Sequence, residues 1–302
     1  MKVSVLTPTY NRANMLGKLY ESLKRNLKFG IEIEWLIMDD GSDDNTKEVV
    51  ENFQKENSFP IIYERQENQG KMAALNNLVP KAKGEFIIEC DSDDYFSDNA
   101  FEYINKYCKL DENIYAYAFL KYDQNYCNIG KLFKDDEQTT TMFDLYFKQG
   151  EDGEKALVFN SRIRKDFRYE LEHGEKFITE ARMHHKMDKQ YKIKGLNLPL
   201  MICEYRQDGY TRNIKEVFKR EPFGYYEYFK EILEMPLEGV KLKKLMYIYK
   251  HYILFSYLAK KKNLLKDVPR ITDKIGISIL WLPGIIKIKL MFWQSKLLWY
   301  NN

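Results

Sequence analysis

The sequence predicts an α/β fold, a three-layer sandwich around a mostly parallel central sheet, and three observations lead to it. Short apolar runs alternate with segments of helical period through the first third of the chain. Each of the first four runs ends in polar residues: "TPTYNR", "DDGSDD", "ENQGK" and "DSDD". The segments between them are long enough for one crossover helix, a connection that favours parallel strands covered on both faces.

Taken in order, "KVSVLTP" reads as a strand, "ANMLGKLYESLKRNL" as a helix, "IEWLIMDD" as a strand and "NTKEVVENFQKEN" as a helix. "PIIYERQ", "KMAALNNLVPKA" and "EFIIECD" follow as strand, helix and strand, and "NAFEYINKYCKL" is a helix that Ser97 or Asp98 can cap. In such a sheet ligands gather at the carboxyl ends of the strands, so four strand ends aim their polar residues at one rim. The middle is less regular. "YAYAFLKYD", "KALVFN" and "LPLMICEY" suggest further strands, and "FITEARMHHKMDKQY" a helix. From Arg212 onward the pattern is helical, in "KEVFKREPFGYYEYFKEIL" and "KLKKLMYIYKHYILFSYLAKKKNLL". A domain over 1–210 and a helical, basic and aromatic extension over 211–302 are expected.

Bulk composition narrows the class. The four cysteines show no CxxC spacing and sit in or beside apolar runs, so free buried thiols without a disulfide are expected. The start, "MKVSVLTPTYNR", lacks the apolar core and cleavage site of a secretion signal, which points to the cytoplasm. No His or Cys spacing suggests zinc, and no Ser/His/Asp arrangement stands out. The net charge of +3 conceals an asymmetry: residues 239–302 carry +11 and the remainder −8. That tail is where an anionic surface would dock.

The stretch "ECDSDDYF" sets Asp91, Asp93 and Asp94 together after an apolar run. Like charges so close repel unless something positive sits among them. Carboxylates are hard oxygen ligands suited to Mg²⁺ or Mn²⁺, and a solvated turn with capping acids is the plainer alternative.

Together the four strand-end motifs resemble the family 2 glycosyltransferases, strongly over residues 1–100 and more loosely over 155–205. The resemblance implies the GT-A fold, with residues 1–100 as the nucleotide-binding half and 101–210 as the acceptor-binding half. It implies a UDP-sugar donor: Tyr10 stacking on the base, Thr7 and Pro8 forming the wall beside it, Arg12 nearby, and Asp39 accepting from the base imide. Asn68, Gly70 and Lys71 fall in the loop that meets the diphosphate, and Lys71 brings a positive charge. "DSDD" resembles the DxD signature. Asp91 and Ser92 then lie against the ribose or metal, and Asp93 with Asp91 holds Mn²⁺ or Mg²⁺. The catalytic base of the family maps to Glu180, preceded by Thr179 in place of the usual acid, with Glu175 as the alternative. Metal-dependent, inverting transfer of a sugar to a hydroxyl of a glycan or lipid-linked saccharide is the implied reaction, in bacterial surface polysaccharide synthesis. A nucleotidyltransferase would normally show a Gly-rich phosphate loop near the start, which "TPTYNRANM" lacks, and a catalytically inactive scaffold or glycan-binding partner is the other class considered.

"RQDGYTRN" is a candidate mobile loop, with Arg212 reaching the diphosphate. The uncharged stretch Ile275 to Ile286 is too short to span a bilayer and is interrupted by Pro283 and Gly284. Trp281, Trp293, Trp299 and Tyr300 beside Lys287, Lys289 and Lys296 fit a helix lying in the inner membrane face. Packing on the domain or on a second copy of the chain is the alternative. No recognised nucleic-acid motif accompanies the charge.

Overall fold

Residues 1–204 and 214–281 are described in a computed structural model, and the chain divides into two units. The first holds Met1–Tyr169 and Met183–Arg212, the second Glu170–Arg182 and Asn213–Asn302. The "RQDGYTRN" loop with Arg212, and Pro283, Lys287, Lys289, Trp293, Lys296, Trp299 and Tyr300 of the tail, lie outside the described residues.

In the first unit β1 (Lys2–Thr9), β2 (Glu32–Asp39), β3 (Ile61–Arg65) and β4 (Phe86–Glu89) run parallel in the order β3-β2-β1-β4. Helices α1 (Leu16–Asn26), α2 (Thr46–Glu56) and α3 (Lys71–Leu78) make the crossovers, as the alternation of apolar and helical segments predicts. β1 and β2 are buried on both faces, which is why they read as continuous rather than alternating apolar runs. On one face Val3, Val5, Trp35 and Ile37 join Leu16, Leu19, Tyr20 and Leu23 in the main core, with Tyr20 stacked on Phe53 at 4.2 Å. α3 covers the other face of β1 and β2, burying Met72, Ala74 and Leu75.

The sheet continues from β4 through β8 (Lys155–Asn160), β6 (Ile114–Asp123) and β9 (Lys192–Cys203) to the two-residue β5 (Tyr95–Phe96), with β7 (Gln138–Thr140) also on β9. β8 is antiparallel to both neighbours, whereas β6 and β9 are parallel. β5 pairs with Met201 and Ile202 near the end of β9. This pairing fixes the acidic motif, because "DSDD" is the short link between β4 and β5 and closes as a turn with Asp94 N–H donating to the Asp91 carbonyl at 3.0 Å. Helix α4 (Ala100–Tyr107) is not capped by Ser97 or Asp98. Instead the Asn26 side chain accepts from Phe101 N–H at 3.1 Å, and the Ser97 hydroxyl donates to the Pro199 carbonyl.

Two further expectations are corrected. Cys127 is exposed in the turn after β6, because that turn is held by Asp123 accepting from the Asn125 and Cys127 amides and buries nothing. Cys90, Cys108 and Cys203 are buried and free. The segment after residue 214 is two helices rather than one, α7 (Ile214–Arg220) and α8 (Pro222–Glu234), because Pro222 has no N–H to continue the first. Helix α5 (Ser161–Lys165) follows β8 directly, and helix α6 (Ala181–Asp188) buries His184 and His185. Burial, with His184 beside it, pushes the His185 pKa down to about 3, so the ring is neutral.

In the second unit α8 packs on α9 (Leu242–Leu258) through Phe229 and Phe255, stacked at 5.6 Å. Residues 271–281 are helical and dock on α9 through Asp273, which accepts from the Tyr249 hydroxyl at 2.6 Å, and the fully buried Ile277. Ile271, Ile275 and Ile279, four apart, stay exposed at 75%, 56% and 69%. Among the described residues no helix is long and apolar enough to cross a membrane.

Candidate functional site

Four strand ends meet at the rim of the first unit, and side-chain hydrogen bonds lock their loops together. After β1, Asn11 takes a φ of 51°, a conformation its short polar side chain tolerates. Its amide donates to the Ser42 hydroxyl at 2.9 Å and its side chain accepts from Asp43 N–H at 2.8 Å. Asp44 accepts from the Ala13 amide and from Thr46, so it fastens the start of α2. Gly41 is required where it stands. Its φ is 86°, and a Cβ there would lie 3.1 Å from the Asn68 amide nitrogen.

Asp39 ends β2 buried. Its Oδ1 accepts from Ser42 N–H at 2.7 Å and its Oδ2 from the Tyr63 hydroxyl at 2.5 Å, an arrangement that, after burial, raises the pKa of Tyr63 far above its ordinary value. The neighbouring Asp40, which the sequence does not single out, organises the next loop. It accepts from Gln66 Nε2, Gln69 N–H and Gly70 N–H, each at 2.8 Å. Gly70, with φ 93°, turns the chain into α3 and so delivers Lys71 to the rim. Two acids side by side on a strand end carry that signal: adjacent residues face opposite ways, so each serves a different loop.

Each acid of "DSDD" has its own cation. Lys71 Nζ lies 2.7 Å from Asp91 Oδ1 and 2.8 Å from Oδ2. Arg12 Nη1 donates to Asp93 Oδ2 at 2.9 Å. Lys121, at the end of β6, lies 3.3 Å from Asp94 and 3.1 Å from Glu154, and the Cys203 thiol also reaches Asp94. Burial pushes the Asp93 carboxyl above the usual carboxylate range against the pull of Arg12, and pushes Asp94 to about 6 against that of Lys121. The sequence shows the acids plainly and their partners not at all, since Arg12 and Asp93 are 81 positions apart.

The remaining rim residues divide by orientation. Tyr10 is 45% exposed, with its ring available at the surface. Thr7 is fully buried and accepts from the Trp35 indole at 2.9 Å, so its side chain faces the core, and Pro8 and Ser92 are buried as well. Asn68 is half-buried in the loop that Asp40 holds.

Beneath the acidic turn lies a buried ion pair. Arg164 donates to Glu89 at 2.7 Å and to the Phe167 carbonyl, the Tyr169 hydroxyl donates to the other Glu89 oxygen at 2.6 Å, and the guanidinium sits over the Phe159 and Tyr169 rings. Glu89 is the last residue of β4, two before Asp91, so this pair sets where the turn begins. Removing one partner of a buried pair strands the other charge. Arg164→Met is expected to lower unfolding stability by about 3–5 kcal/mol, with part recovered in Glu89→Gln/Arg164→Met. Urea denaturation checks this, and a loss below about 1 kcal/mol for the single variant contradicts it.

In the second unit both oxygens of Glu175 accept backbone amides at 2.7 Å, from Phe223 and Gly224. Glu175 therefore secures the start of α8, and its carboxyl rises above the ordinary range through burial. Glu180 is half-buried and immediately precedes α6. Arg182 gathers Glu170, Glu172 and Glu231 around its guanidinium.

A divalent cation fits the donor set at the rim. Among the described residues no three His, Cys, Asp or Glu side chains converge as a cage. Asp91 and Asp93 supply two carboxylates, the number Mg²⁺ usually takes when phosphate and water complete its shell.

The family model of glycosyl transferase family 2 matches residues 4–164. An uncharacterized glycosyltransferase of Mycoplasma genitalium is 39% identical over 113 residues, which are 36% of this chain and 38% of that protein. The chain thus spans well under half the length of that relative. The GalNAc(5)-diNAcBac-PP-undecaprenol β-1,3-glucosyltransferase of Campylobacter jejuni is 29% identical over 282 residues, covering 86% of this chain and 83% of its own. Among solved structures, Staphylococcus aureus TarS 1–349 in complex with UDP-GlcNAc superimposes with a TM-score of 0.56 at 18% identity, covering 89% of this chain and 82% of that one. At that identity the likeness is one of fold, the GT-A arrangement.

Proposed function

The chain belongs to glycosyl transferase family 2, and from that membership we propose that it transfers a sugar from a UDP-sugar to a hydroxyl of a glycan or lipid-linked saccharide, with inversion at the anomeric carbon, in building a bacterial surface polysaccharide. The observation that carries the proposal is the rim, where Lys71–Asp91 and Arg12–Asp93 tie three strand-end loops into one charged site beside the exposed Tyr10 ring. Tyr10 stacks on the base and Asp39 accepts from its imide N–H, a donor that uracil has and cytosine lacks. Lys71 and Arg12 hold the diphosphate. Asp91 and Asp93 would hold a Mn²⁺ or Mg²⁺ ion, which would supply positive charge to the leaving nucleotide. Glu180 accepts the proton of the attacking hydroxyl, since Glu175 is occupied as a helix anchor. The undecaprenol-linked substrate named for the Campylobacter relative supports a lipid-linked acceptor.

Screening by thermal shift tests the donor. With Mn²⁺ present, a UDP-sugar is expected to raise the melting temperature more than the matching CDP-sugar. Equal shifts for the two would remove Asp39 as the selector.

The exposed Ile271, Ile275 and Ile279 line one face of a strongly basic segment, which supports a cytoplasmic enzyme seated on the inner membrane face. Cosedimentation with vesicles rich in anionic lipid is expected, and lost in Ile271→Asn/Ile275→Asn/Ile279→Asn. Binding that survives the triple change overturns this seat, and self-association in its place would assign the face to a second copy of the chain.

A further inference from the structure

One tightly built part of the first unit is not used by the proposed reaction. β8 starts opposite the end of β6, with Lys155 paired to Leu120, so Glu154 comes level with Lys121. Lys121 Nζ lies 3.1 Å from Glu154 and 3.3 Å from Asp94 of the acidic turn, and Glu154 is 50% exposed. The segment that delivers Glu154 is held firmly. Glu151 Oε1 accepts from the amides of Lys131, Asp152 and Gly153 at 2.8 to 2.9 Å, and its Oε2 pairs with Lys155 Nζ at 2.8 Å, both side chains buried. Beside them two loops cross backbone to backbone: a Cβ on Gly130, whose φ is 85°, would lie 2.5 Å from the Gly153 Cα. Taking an ion pair out of water is costly, and a half-exposed pair such as Lys121–Glu154 returns little stability. Where this construction puts Glu154 therefore explains it better than what it adds to folding.

Strand order supplies the reason. Along the rim the sheet runs β2, β1, β4, β8, β6, and β8 is antiparallel to β4, so its first residues stand at the edge where β4 ends. In the reading of the rim as a nucleotide-sugar site, on which this inference rests, the base lies over β2 and β1 and the diphosphate at the turn after β4. The group on the far side of the diphosphate then lies over β8 and β6, about 5 to 10 Å further along. We infer that Glu154, steadied by Lys121, reads the hydroxyls of the donor sugar and so determines which sugar is transferred. A carboxylate accepts two hydroxyl donors, and neighbouring hydroxyls of one hexose supply them together as charge-assisted hydrogen bonds. Lys121 holds the Glu154 carboxylate in place and offsets its repulsion from the diphosphate, while its contact with Asp94 ties the sugar contact to the acidic turn. An epimer with one of those hydroxyls reversed leaves a carboxylate oxygen without its donor, and that loss is the source of discrimination.

Calorimetric titration of the full chain with Mn²⁺ present compares UDP with UDP-glucose, UDP-galactose, UDP-GlcNAc and UDP-GalNAc. Glu154→Ala is expected to weaken the best-bound UDP-sugar about 10- to 100-fold and to change UDP itself by less than about threefold. The preference among the four sugars is expected to shrink in the same variant. Glu154→Gln, which still accepts a hydroxyl but carries no charge, is expected to fall between. Glu56→Ala removes an equally exposed, paired glutamate from the end of α2 and is expected to leave every affinity unchanged. Circular dichroism melts confirm that each variant is folded, and Glu154→Gln carries the test if Glu154→Ala is not. A UDP-sugar affinity unchanged in the Glu154 variants, or a loss shared equally by UDP, overturns the sugar-reading role while leaving the nucleotide site standing. Binding of UDP without any of the four UDP-sugars overturns that role as well. No binding of UDP or of any UDP-sugar to the unaltered chain overturns the reading of the rim, and this role with it.

Discussion

Glu180→Gln is expected to lower the turnover of sugar transfer by about 10²- to 10⁴-fold, the usual worth of a positioned base. Glutamine keeps the size and the hydrogen-bonding reach of the side chain but cannot take a proton from the attacking hydroxyl. Glu180 directly precedes α6 and is half-buried. Because the acceptor proton moves only in the transition state, the loss falls on kcat, and donor affinity measured with UDP changes little. The same change at Glu175 acts differently. That carboxylate holds the Phe223 and Gly224 amides, so Glu175→Gln is expected to cost stability more than turnover. Steady-state assays on both variants, alongside their melting curves, separate the two roles. Turnover of Glu180→Gln within about threefold of the unaltered chain would take the base away from this residue.

Asp93→Asn is expected to reduce Mn²⁺-dependent release of UDP from a UDP-sugar by roughly 10³-fold, several kcal/mol of charge stabilisation at the leaving diphosphate. Asparagine is the same shape and removes only the charge. It leaves Arg12 without its anion, so the rim becomes more positive. UDP alone should then bind without metal at least as well as before, whereas its dependence on Mn²⁺ should fade. That pairing of outcomes distinguishes a lost ion site from a collapsed one. Equal UDP release from both proteins, under matched Mn²⁺, would end the metal-assisted reading of the acidic turn.

Much of this architecture is visible in the chain itself where the determining forces are local. The apolar runs of β1 to β4 and the helix-period segments between them specify parallel crossovers, and the polar strand ends specify the rim, because short crossovers leave few other ways to cover both faces. Gly41 sits in a short polar run after β2, where a positive φ makes its demand within a few positions. The two-residue β5 has no periodicity to detect, and it exists because β9 supplies its partner. Glu175 could be a base or an anchor until the amides it meets, 48 and 49 positions away, are known. Thr7 lies in a motif that points to the ligand, yet the alternation of β1 and the reach of the Trp35 indole turn its hydroxyl inward.

By itself the sequence determined the fold class, the gathering of the parallel strands' loops at one edge, and the presence of three close acids there, all set by patterns that repeat every two to four residues. Only the tertiary structure decided what stands opposite those acids. Arg12, Lys71 and Lys121 come from three separate elements, and an ion pair depends on distance in space, which packing sets and spacing along the chain does not.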